Sequence, residues 1–368
     1  RPAQKGRGRH PGVGRPRGEG GAPGPQGHGT LSVAWWSFVT TPEIQVLSTG
    51  GTIASTDAAE GATPTRTGDE LVRSADLPTD IDVSVEQVSQ VPGFDMDTGI
   101  VDDIAQHVRE AGPETGFVVT HGTDTMAESA YYLDAGLDPD VPVVFTGAQR
   151  RPDEVSADGP ANLRTAVAAA LHADVRDAGG VYLAFNQELH AARDVVKSHS
   201  HKLETFQSPG KGPVAVRNRT GFRFHRDPGS RSTHVPGLGS EATVVTVTSG
   251  LGVGGRPVRR VLDEVDGLVV AGTGLGNVTG GLADAIDEAL DRAIPVVVVS
   301  RCHAGGVNGV YGTSGGGSTS RLRGGTATIT RPAHVRRGMD GLDRFMFYGV
   351  LLIFGAIILG FLLTLVAG

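Results

Sequence analysis

A threonine-rich turn follows the first strand-like segment of the chain. Residues 44–48 are mostly apolar and run directly into Thr49-Gly50-Gly51-Thr52. Ligands of α/β sheets bind at the carboxyl ends of strands, and adjacent glycines let the backbone approach a ligand closely. A hydroxyl beside free backbone N–H groups can be a nucleophile next to an oxyanion hole. The same pattern also suits a phosphate-binding loop or a plain tight turn.

A second turn of this kind, at 121–126, reads His-Gly-Thr-Asp-Thr-Met and follows the apolar residues Val118 and Val119. If the two strands are neighbours, both turns lie at one edge of the sheet. Asp124 can then bind an ammonium group, and Thr123 can pass a proton or assist a nucleophile. Either residue can instead be only the N-cap of the helix that follows.

Lysine is rare in this chain, which draws attention to Lys197 in the segment 192–198. The 368 residues include only four lysines, Lys5, Lys197, Lys202 and Lys211. A lysine with a lowered pKa can take a proton from a hydroxyl, and a charged lysine stabilises a developing oxyanion. The alternative interpretation of Lys197 is a solvated surface side chain.

From residue 43 onward the pattern of apolar residues alternates between strands and helices. The predicted strands are 44–48, 81–88, 116–120, 141–146, 180–185, 243–248, 267–272 and 295–300. The predicted helices are a repeat over 100–108, then 126–135, 160–173, 257–265 and 280–292. Strands that alternate with helices predict βαβ units and a parallel sheet, so we expect an α/β fold.

Composition divides the chain into six segments. Residues 1–30 are rich in Arg, Gly and Pro, which predicts disorder, and over 221–241 the periodicity gives way to Gly, Pro, Arg and Ser. We expect a parallel-sheet N-terminal domain, a smaller α/β C-terminal domain and a C-terminal transmembrane helix. The segments are a disordered leader at 1–42, the N-terminal domain at 43–220, a linker at 221–241, the C-terminal domain at 242–320, a basic linker at 321–344 and the transmembrane helix at 345–368.

Charge is uneven along the chain, whose formal net charge is −7. Residues 43–312 carry 21 basic and 37 acidic side chains. Nucleic-acid binding requires a basic face, so this acidic body argues against nucleic acid as a main partner and resembles a salt-adapted cytosolic protein. The single cysteine, Cys302, allows no intrachain disulfide. We interpret it as a small residue at a strand end; a nucleophile is the alternative.

The last 24 residues, 345–368, carry no charged side chain. A helix rises about 1.5 Å per residue, so about 20 residues suffice to cross the hydrocarbon layer. Arg336, Arg337 and Arg344 precede this segment, and the positive-inside tendency then places the main body in the cytoplasm. We expect a cytoplasmic body with a membrane-anchoring tail; a buried core helix is the alternative.

Six segments, in chain order, resemble the bacterial-type L-asparaginase family of amidohydrolases over about residues 43–312. They are Thr-Gly-Gly-Thr-Ile-Ala (49–54), His-Gly-Thr-Asp-Thr-Met (121–126), Ser-Ala-Asp-Gly-Pro-Ala-Asn-Leu (156–163), Arg-Asp-Val-Val-Lys (193–197), Gly-Thr-Gly-Leu-Gly-Asn (272–277) and Ser-Arg (300–301). The resemblance implies hydrolysis of L-asparagine to L-aspartate and ammonia. It also implies a homo-oligomer that needs no metal and no organic cofactor.

The resemblance implies a role for each site residue. Thr52 would be the nucleophile that attacks the side-chain amide carbon, and water would cleave the resulting acyl-enzyme. Lys197 and Asp124 would tune the hydroxyl of Thr123, the second threonine of the site. Asp124 would also hold the α-ammonium group of the substrate. Backbone N–H groups near both threonines would hold the oxyanion.

The substrate loop departs from the family pattern at three positions, 92, 93 and 94. Family members usually read Gly-Ser-Gln-Asp-Met there, and residues 92–96 read Pro-Gly-Phe-Asp-Met. Gly93 lacks the serine hydroxyl that binds the α-carboxylate, so only its backbone N–H is left for that contact. Phe94 in place of Gln argues weakly against glutamine as a good substrate. The loop 58–68 lacks the tyrosine of many members, and Thr65 is its nearest hydroxyl candidate.

The end of the chain also departs from the family. Residues 321–337 are unlike the strand and last helix found there, so we expect an incomplete C-terminal domain, produced by a frameshift or gene fusion. Two other functions are therefore considered. One is the asparaginase-like subunit of the archaeal glutamyl-tRNA amidotransferase, whose additional N-terminal domain is larger than residues 1–42. The other is a non-catalytic, membrane-tethered relic.

Overall fold

The computed structural model describes residues 43–229, 242–317 and the strand at 328–330. Within them the chain forms one eight-stranded sheet, one four-stranded sheet and two small two-stranded sheets. The predicted leader at 1–42 and the predicted transmembrane helix at 345–368 lie outside the described residues. None of the helices in the described part is long and apolar enough to span a membrane.

The eight predicted strands and the five predicted helices are all present, and the described residues contain eight further strands and two further helices among them. The strands are β1 (Glu43–Gly50), β2 (Ser55–Thr56), β3 (Thr63–Pro64), β4 (Asp82–Val91), β5 (Thr115–Thr120), β6 (Pro142–Thr146), β7 (Gly180–Phe185), β8 (Glu188–Ala191), β9 (Val196–Lys197), β10 (Phe206–Gln207), β11 (Ala215–Asn218), β12 (Gly221–Phe224), β13 (Val244–Thr248), β14 (Gly267–Gly272), β15 (Val296–Ser300) and β16 (Thr328–Thr330). The helices are α1 (Gly68–Ser74), α2 (Thr98–Glu110), α3 (Met126–Leu137), α4 (Gly159–Ala170), α5 (Ala173–Ala178), α6 (Arg256–Val261) and α7 (Gly280–Asp291). Two single turns of 3-10 helix, Thr52–Ala54 and Gly93–Asp95, follow β1 and β4.

The large sheet has the strand order β12-β11-β8-β7-β6-β5-β1-β4. The neighbouring strands β4, β1, β5, β6 and β7 are parallel to one another. The sheet continues beyond β7 with β8, β11 and β12, each antiparallel to the strand before it. The predicted α/β fold is thus confirmed, but the N-terminal sheet is mixed, because only five of its eight strands are parallel. The strand β12 lies inside the segment 221–241 that the sequence assigned to a linker. Because β12 pairs with β11, the large sheet continues to Phe224.

Both faces of the parallel part of the sheet are covered by helices. Along β5, Phe117 and Val119 enter one core with Ile104 of α2, while Val118 enters the opposite core with Leu163 of α4. Side chains of a strand alternate between faces, so a strand covered on both sides is apolar at every position. This burial explains the continuous apolar runs from which the strands were predicted.

Side chains at the helix ends fix where the helices begin. The hydroxyl of Thr67 accepts from the N–H of Glu70, and the Glu70 carboxylate accepts from the N–H of Thr67, which is a capping box at α1. At α2, Asp97 accepts from the N–H of Ile100 at 2.9 Å. Each cap satisfies N–H groups that the helix leaves unpaired and so stabilises the first turn of the helix.

The small sheet has the order β13-β14-β15-β16. Its first three strands are parallel, and β16 pairs antiparallel with β15 at the edge. Val296 and Val298 pack in one core, while Val297 and Val299 pack in another, so the valine run of β15 is buried on both faces as predicted. The strand β16 lies in the segment 321–344 that the sequence assigned to a basic linker.

Candidate active site

Three strands of the large sheet end side by side. The register pairs Ser48 of β1 with Thr120 of β5, and it pairs Gly50 with Val91 of β4. The turns after these strands therefore meet at the carboxyl edge of the sheet, where ligands of α/β sheets bind. This brings together the turns at 49–52, 92–96 and 121–126.

The three turns touch one another through glycine backbones. A Cβ added to Gly51 would lie 2.4 Å from the Cα of Gly122, and one added to Gly93 would lie 2.9 Å from that Cα. Gly51 also has a φ angle of 78°, which residues with side chains rarely adopt. The contact between Gly51 and Gly122 brings the residues that follow them, Thr52 and Thr123, to the same part of the edge.

Lys197 connects the second turn to the short strand β9. Its Nζ donates to Oγ1 of Thr123 at 2.8 Å and to Oδ1 of Asp124 at 2.7 Å. The lysine side chain is only 10% exposed, whereas that of Asp124 is 56% exposed. The structure thus joins Thr123, Asp124 and Lys197 in one hydrogen-bonded group, and Lys197 is not a solvated surface residue. A cationic donor this close to a hydroxyl favours the anionic form of that oxygen.

The two threonines of the first turn differ in what their hydroxyls do. The hydroxyl of Thr49 is buried and donates to the carbonyl oxygen of Thr120 at 2.9 Å. Within the described residues, neither the hydroxyl of Thr52 nor the backbone N–H groups of Thr52 and Thr123 have a hydrogen-bond partner. A half-buried free hydroxyl beside free N–H groups can support acyl transfer.

The turn at 92–96 carries Gly93 and Phe94, two of the positions that depart from the family pattern. Gly93 is buried, and Phe94 is 70% exposed beside it. The carbonyl oxygen of Gly93 accepts a hydrogen bond from Oγ1 of Thr125 at 2.5 Å. Because Thr125 is the N-cap residue of α3, this bond ties the turn to the start of that helix.

The hydroxyl of Thr65 is engaged away from this group. Its Oγ1 lies 2.7 Å from Oγ1 of Thr56, across the small β2–β3 sheet. The backbone N–H of Thr65 donates to the carbonyl of Ala54. The hydrogen bonds of Thr65 therefore close the loop 58–68 and do not reach Thr52.

Asp194 holds the segment that carries Lys197. Its side chain is 4% exposed and accepts from Nζ of Lys211 at 2.7 Å and from Nη1 of Arg226 at 2.6 Å. Burial raises the pKa of Asp194, but the hydrogen bonds and charges of Lys211 and Arg226 outweigh it and hold the pKa below the ordinary value. The motif at 193–197 thus contains both the lysine and the carboxylate that anchors its loop.

His121 lies buried beneath the second turn. Its Nδ1 is 2.6 Å from the carbonyl oxygen of Gly122, and its Nε2 is 3.0 Å from Oγ of Ser129. Because a carbonyl only accepts, we assign the proton to Nδ1 and let Nε2 accept from the serine. Burial lowers the pKa of His121 to about 4, so the ring is neutral. It packs near Phe145, with ring centroids 5.8 Å apart.

Sequence reasoning missed two residues beside the site, Thr125 and Glu128. Glu128 lies in the first turn of α3, and its Oε2 is shielded from solvent without a hydrogen-bond partner. Burial raises the pKa of Glu128 to about 7, against the opposing influence of its own N–H and of Lys197. The available signal was position, because both residues fall in or just after the motif at 121–126.

One further motif, the segment 156–163, braces the loop between β6 and α4. The carboxylate of Asp158 accepts from the N–H groups of Gln149 and Arg150, at 3.1 and 2.8 Å. The side-chain amide of Asn162 donates to the carbonyl of Gly147 at 3.0 Å. Through these contacts the segment 156–163 fixes the conformation of the loop between β6 and α4.

The motifs of the small sheet meet at its own carboxyl edge. The hydroxyl of Ser300 donates to the carbonyl of Gly274 at 2.5 Å, and the N–H of Arg301 donates to that of Gly272 at 2.9 Å. Cys302, the free cysteine, is exposed next to them. The segments 272–277 and 300–301 therefore form one hydrogen-bonded loop cluster.

Two family models match the chain along its two sheets. The model described as "Asparaginase, N-terminal" matches residues 43–229, and the model described as "Glutaminase/Asparaginase C-terminal domain" matches residues 243–329. The chain belongs to the asparaginase family. It is accordingly an amidohydrolase of this family and contains both of the family's domains. The match of the C-terminal asparaginase domain continues to residue 329 and so includes part of the segment 321–344.

Several asparaginase relatives resemble the chain over most of its length. A protein named "Probable L-asparaginase periplasmic" from Haemophilus influenzae is 34% identical over 75% of this chain and 82% of its own. A glutamyl-tRNA(Gln) amidotransferase subunit from Haloquadratum walsbyi is 33% identical over 74% of this chain and 65% of its own. The crystal structure of a probable cytoplasmic L-asparaginase from Campylobacter jejuni is similar with a TM-score of 0.66 at 33% identity, over 74% of this chain and 88% of that chain.

Proposed function

We propose that this chain hydrolyses L-asparagine to L-aspartate and ammonia through a threonine nucleophile and an acyl-enzyme. The observation that carries the proposal is the group formed by Thr123, Asp124 and Lys197, with bonds of 2.8 and 2.7 Å from the lysine Nζ. The close approach of the Gly51 and Gly122 backbones supports a site that combines this group with the free hydroxyl of Thr52. The named relatives that are L-asparaginases support the choice of substrate.

Each residue has a role in the proposed reaction. Oγ1 of Thr52 attacks the side-chain amide carbon, and ammonia leaves with a proton delivered from the site. The group of Thr123 and Lys197 supplies and accepts protons, since the Lys197 Nζ already contacts the Thr123 hydroxyl. Free N–H groups of Thr52 and Thr123 stabilise the oxyanion, a contribution of about 3–4 kcal/mol in comparable sites. Water then cleaves the ester and returns the Thr52 hydroxyl.

Asp124, Gly93 and Phe94 contact the substrate in this proposal. The exposed carboxylate of Asp124 keeps one oxygen for the α-ammonium group, since Lys197 occupies Oδ1. Gly93 offers its backbone N–H to the α-carboxylate. Phe94, which is exposed at the same turn, lines the site with an apolar ring where the family has a glutamine amide. We therefore expect asparagine to be a better substrate than glutamine.

The test is ammonia release from asparagine and from glutamine by the full chain. Thr52→Val keeps the shape of the side chain and removes the hydroxyl, so kcat should fall by about a thousandfold or more, the scale on which nucleophile removal acts. Thr52→Ser should retain measurable activity. A covalent adduct on the peptide that contains Thr52 should appear by mass spectrometry after an acid quench of the wild type.

A matched control uses the other threonine of the same turn. Thr49→Ser keeps a hydroxyl that can bond Thr120, and we expect near-normal kcat because Thr49 is committed to the sheet. Ammonia release that persists in Thr52→Val would remove Thr52 as the nucleophile. No release from either substrate by the wild type would favour the non-catalytic relic.

The second candidate is a subunit of a glutamyl-tRNA amidotransferase. Its support is the 33% identity to the Haloquadratum walsbyi protein, of which the chain spans 65%. Such a subunit would deliver ammonia to a partner enzyme and depend on that partner for full activity. Rapid turnover of free asparagine by the isolated chain favours the hydrolase over this candidate.

Assembly and location are also proposals. We propose a homo-oligomer on the family resemblance; Leu251, Leu275, Val310 and Tyr311, which are exposed on the small domain, are candidates for its interface. Light scattering on the purified chain tests this.

We place the catalytic body in the cytoplasm, with a membrane anchor predicted at 345–368. The name of the Campylobacter jejuni relative agrees with the cytoplasm and that of the Haemophilus influenzae relative does not, so cell fractionation decides.

A further inference from the structure

Thr125 occupies the N-cap position of helix α3, but its side chain does not cap that helix. A threonine at this position ordinarily accepts a hydrogen bond from an N–H group of the first helical turn. Here Oγ1 of Thr125 donates to the carbonyl oxygen of Gly93 at 2.5 Å. The two residues are 32 positions apart in the chain, so the hydroxyl joins the turn at 92–96 to the turn at 121–126.

The same two turns are also in backbone contact. A Cβ on Gly122 would lie 2.3 Å from the Cα of Gly93. Such a contact limits how near the turns come, but it does not orient the peptide group between Gly93 and Phe94. A peptide group is planar and hydrogen bonds are directional, so a donor on the Gly93 carbonyl fixes the tilt of the whole group. The Thr125 hydroxyl therefore sets the conformation of the turn as well as its position.

The turn at 92–96 is otherwise held to the second turn by packing alone. The N–H of Asp95 donates to the carbonyl of Pro92 at 3.0 Å, which closes the turn on itself. In the parts of the chain that the structure describes, the bond from Thr125 is the one hydrogen bond between this turn and residues 121–126. The orientation of the first of these turns relative to the second thus depends on one hydroxyl.

Resting on the proposed function, we propose that Thr125 is a positioning residue for the α-carboxylate of the substrate. The N–H of Gly93 has no hydrogen-bond partner among the described residues and is free for a ligand. The Thr125 hydroxyl holds Gly93 at a fixed separation from Asp124, the preceding residue, whose carboxylate receives the α-ammonium group. One dipeptide thereby sets both ends of the amino-acid group. Thr125 takes no part in the bond changes at Thr52, so its loss should weaken binding and leave the chemical step unchanged.

The first measurement is the kinetics of ammonia release from asparagine by the full chain. Thr125→Val keeps the branched shape of the side chain and removes the donor, so KM should rise about tenfold while kcat stays within about twofold. Thr125→Ser retains a hydroxyl and should restore KM to near the wild-type value. Thr125→Ala, with a smaller side chain, repeats the comparison should valine prevent folding.

The second measurement separates the α-carboxylate from the rest of the substrate. The compound 3-aminopropanamide keeps the amide and the ammonium group of asparagine and lacks the carboxylate. In the wild type kcat/KM should be higher for asparagine, and in Thr125→Val this preference should shrink by about tenfold. A merely structural role would lower kcat/KM for both substrates by the same factor. Calorimetric titration with L-aspartate, which carries the same α-groups, repeats the test without turnover.

Thr279→Val is the matched control, because Thr279 is also the N-cap residue of a helix of 12 residues, α7. Its hydroxyl does cap that helix, since Oγ1 accepts from the backbone N–H of Leu282 at 3.3 Å. This variant should lower the melting temperature and leave both KM and the preference between the two substrates unchanged.

The outcomes distinguish the positioning role of Thr125 from the proposed function. An unchanged KM in Thr125→Val, or an equal loss for both substrates, would overturn the positioning role. A wild type that releases no ammonia but binds L-aspartate about tenfold more tightly than Thr125→Val would refute the proposed function and leave the positioning role supported. A wild type that neither releases ammonia nor binds L-aspartate would overturn both.

Discussion

Replacing His121 by asparagine should change how stability depends on pH. In the folded chain, burial lowers the pKa of His121 from 6.5 to about 4. Between these values the unfolded chain binds a proton that the folded chain does not, so the folded state loses stability as the pH falls through this window. The shift of about 2.5 units corresponds to about 3 kcal/mol. Asparagine keeps a donor at the position of Nδ1, which bonds the Gly122 carbonyl, and does not titrate.

Glu128 produces the opposite slope in nearly the same window. Its pKa is raised from 4.5 to about 7, so the folded chain keeps a proton that the unfolded chain has lost. Stability from this group is present below pH 4.5 and decreases by about 3 kcal/mol as the pH rises to 7. Between pH 4.5 and 6.5 the contributions of His121 and Glu128 should therefore nearly cancel, and the wild type should show neither slope.

The assay is urea unfolding at half-unit steps from pH 4 to 8. The difference in unfolding free energy between the wild type and His121→Asn should grow by about 3 kcal/mol from pH 4 to 6.5. In His121→Asn the slope from Glu128 is exposed, so stability should fall from pH 4.5 to 7. In Glu128→Gln the reverse slope should appear. A difference between wild type and His121→Asn that stays constant with pH would refute this reasoning.

Three further substitutions test other parts of the fold. Gly122→Ala should destabilise the chain by about 1–3 kcal/mol in thermal unfolding, because its Cβ would lie 2.3 Å from the Cα of Gly93, while Gly112→Ala, with nothing within 4 Å, should be harmless. Asp194→Asn should cost about 1–3 kcal/mol at pH 7, since it leaves the mostly buried guanidinium of Arg226 without its carboxylate, whereas Lys211 is half exposed and stays solvated. Because the pKa of Asp194 is lowered, that loss should shrink as the wild type is acidified through the folded-state value. Thr67→Ala removes the capping box of α1 and should cost about 1 kcal/mol, read as a lower melting temperature.

Periodicity predicted the elements that are buried on both faces. The apolar runs at 116–120, 141–146 and 267–272 indicate strands because every position of such a strand enters a core. Periodicity did not predict β9, which is two residues long, or β12, in which Phe222 and Phe224 alternate with Gly and Arg. Strands of two to four residues are too short for an alternation to be distinguished from chance, and their pairing depends on distant partners.

The sequence predicted only those site residues whose chemical type is distinctive, namely the hydroxyls and carboxylate of the two turns and the rare lysine. Thr52, Thr123, Asp124 and Lys197 are predicted from the sequence, and the structure joins the last three by hydrogen bonds. Their site roles stay predictions until the variants are measured. Glu128 was missed because a glutamate at the start of a helix is ordinary in sequence. Its isolation from solvent arises only from tertiary packing.

The substitution of glycine for serine at position 93 and the close packing of the three turns are linked. A Cβ on Gly93 would lie 2.9 Å from the backbone of Gly122, a distance that real Cβ atoms hardly ever show, and a backbone atom cannot swing away as a side chain can. A serine hydroxyl for the α-carboxylate therefore requires the turn at 92–96 to move off the turn at 121–126. The bond from Thr125 to the Gly93 carbonyl opposes that movement. In the proposed site, glycine at position 93 thus provides a direct backbone contact with the loop that carries Thr123 in place of a serine hydroxyl.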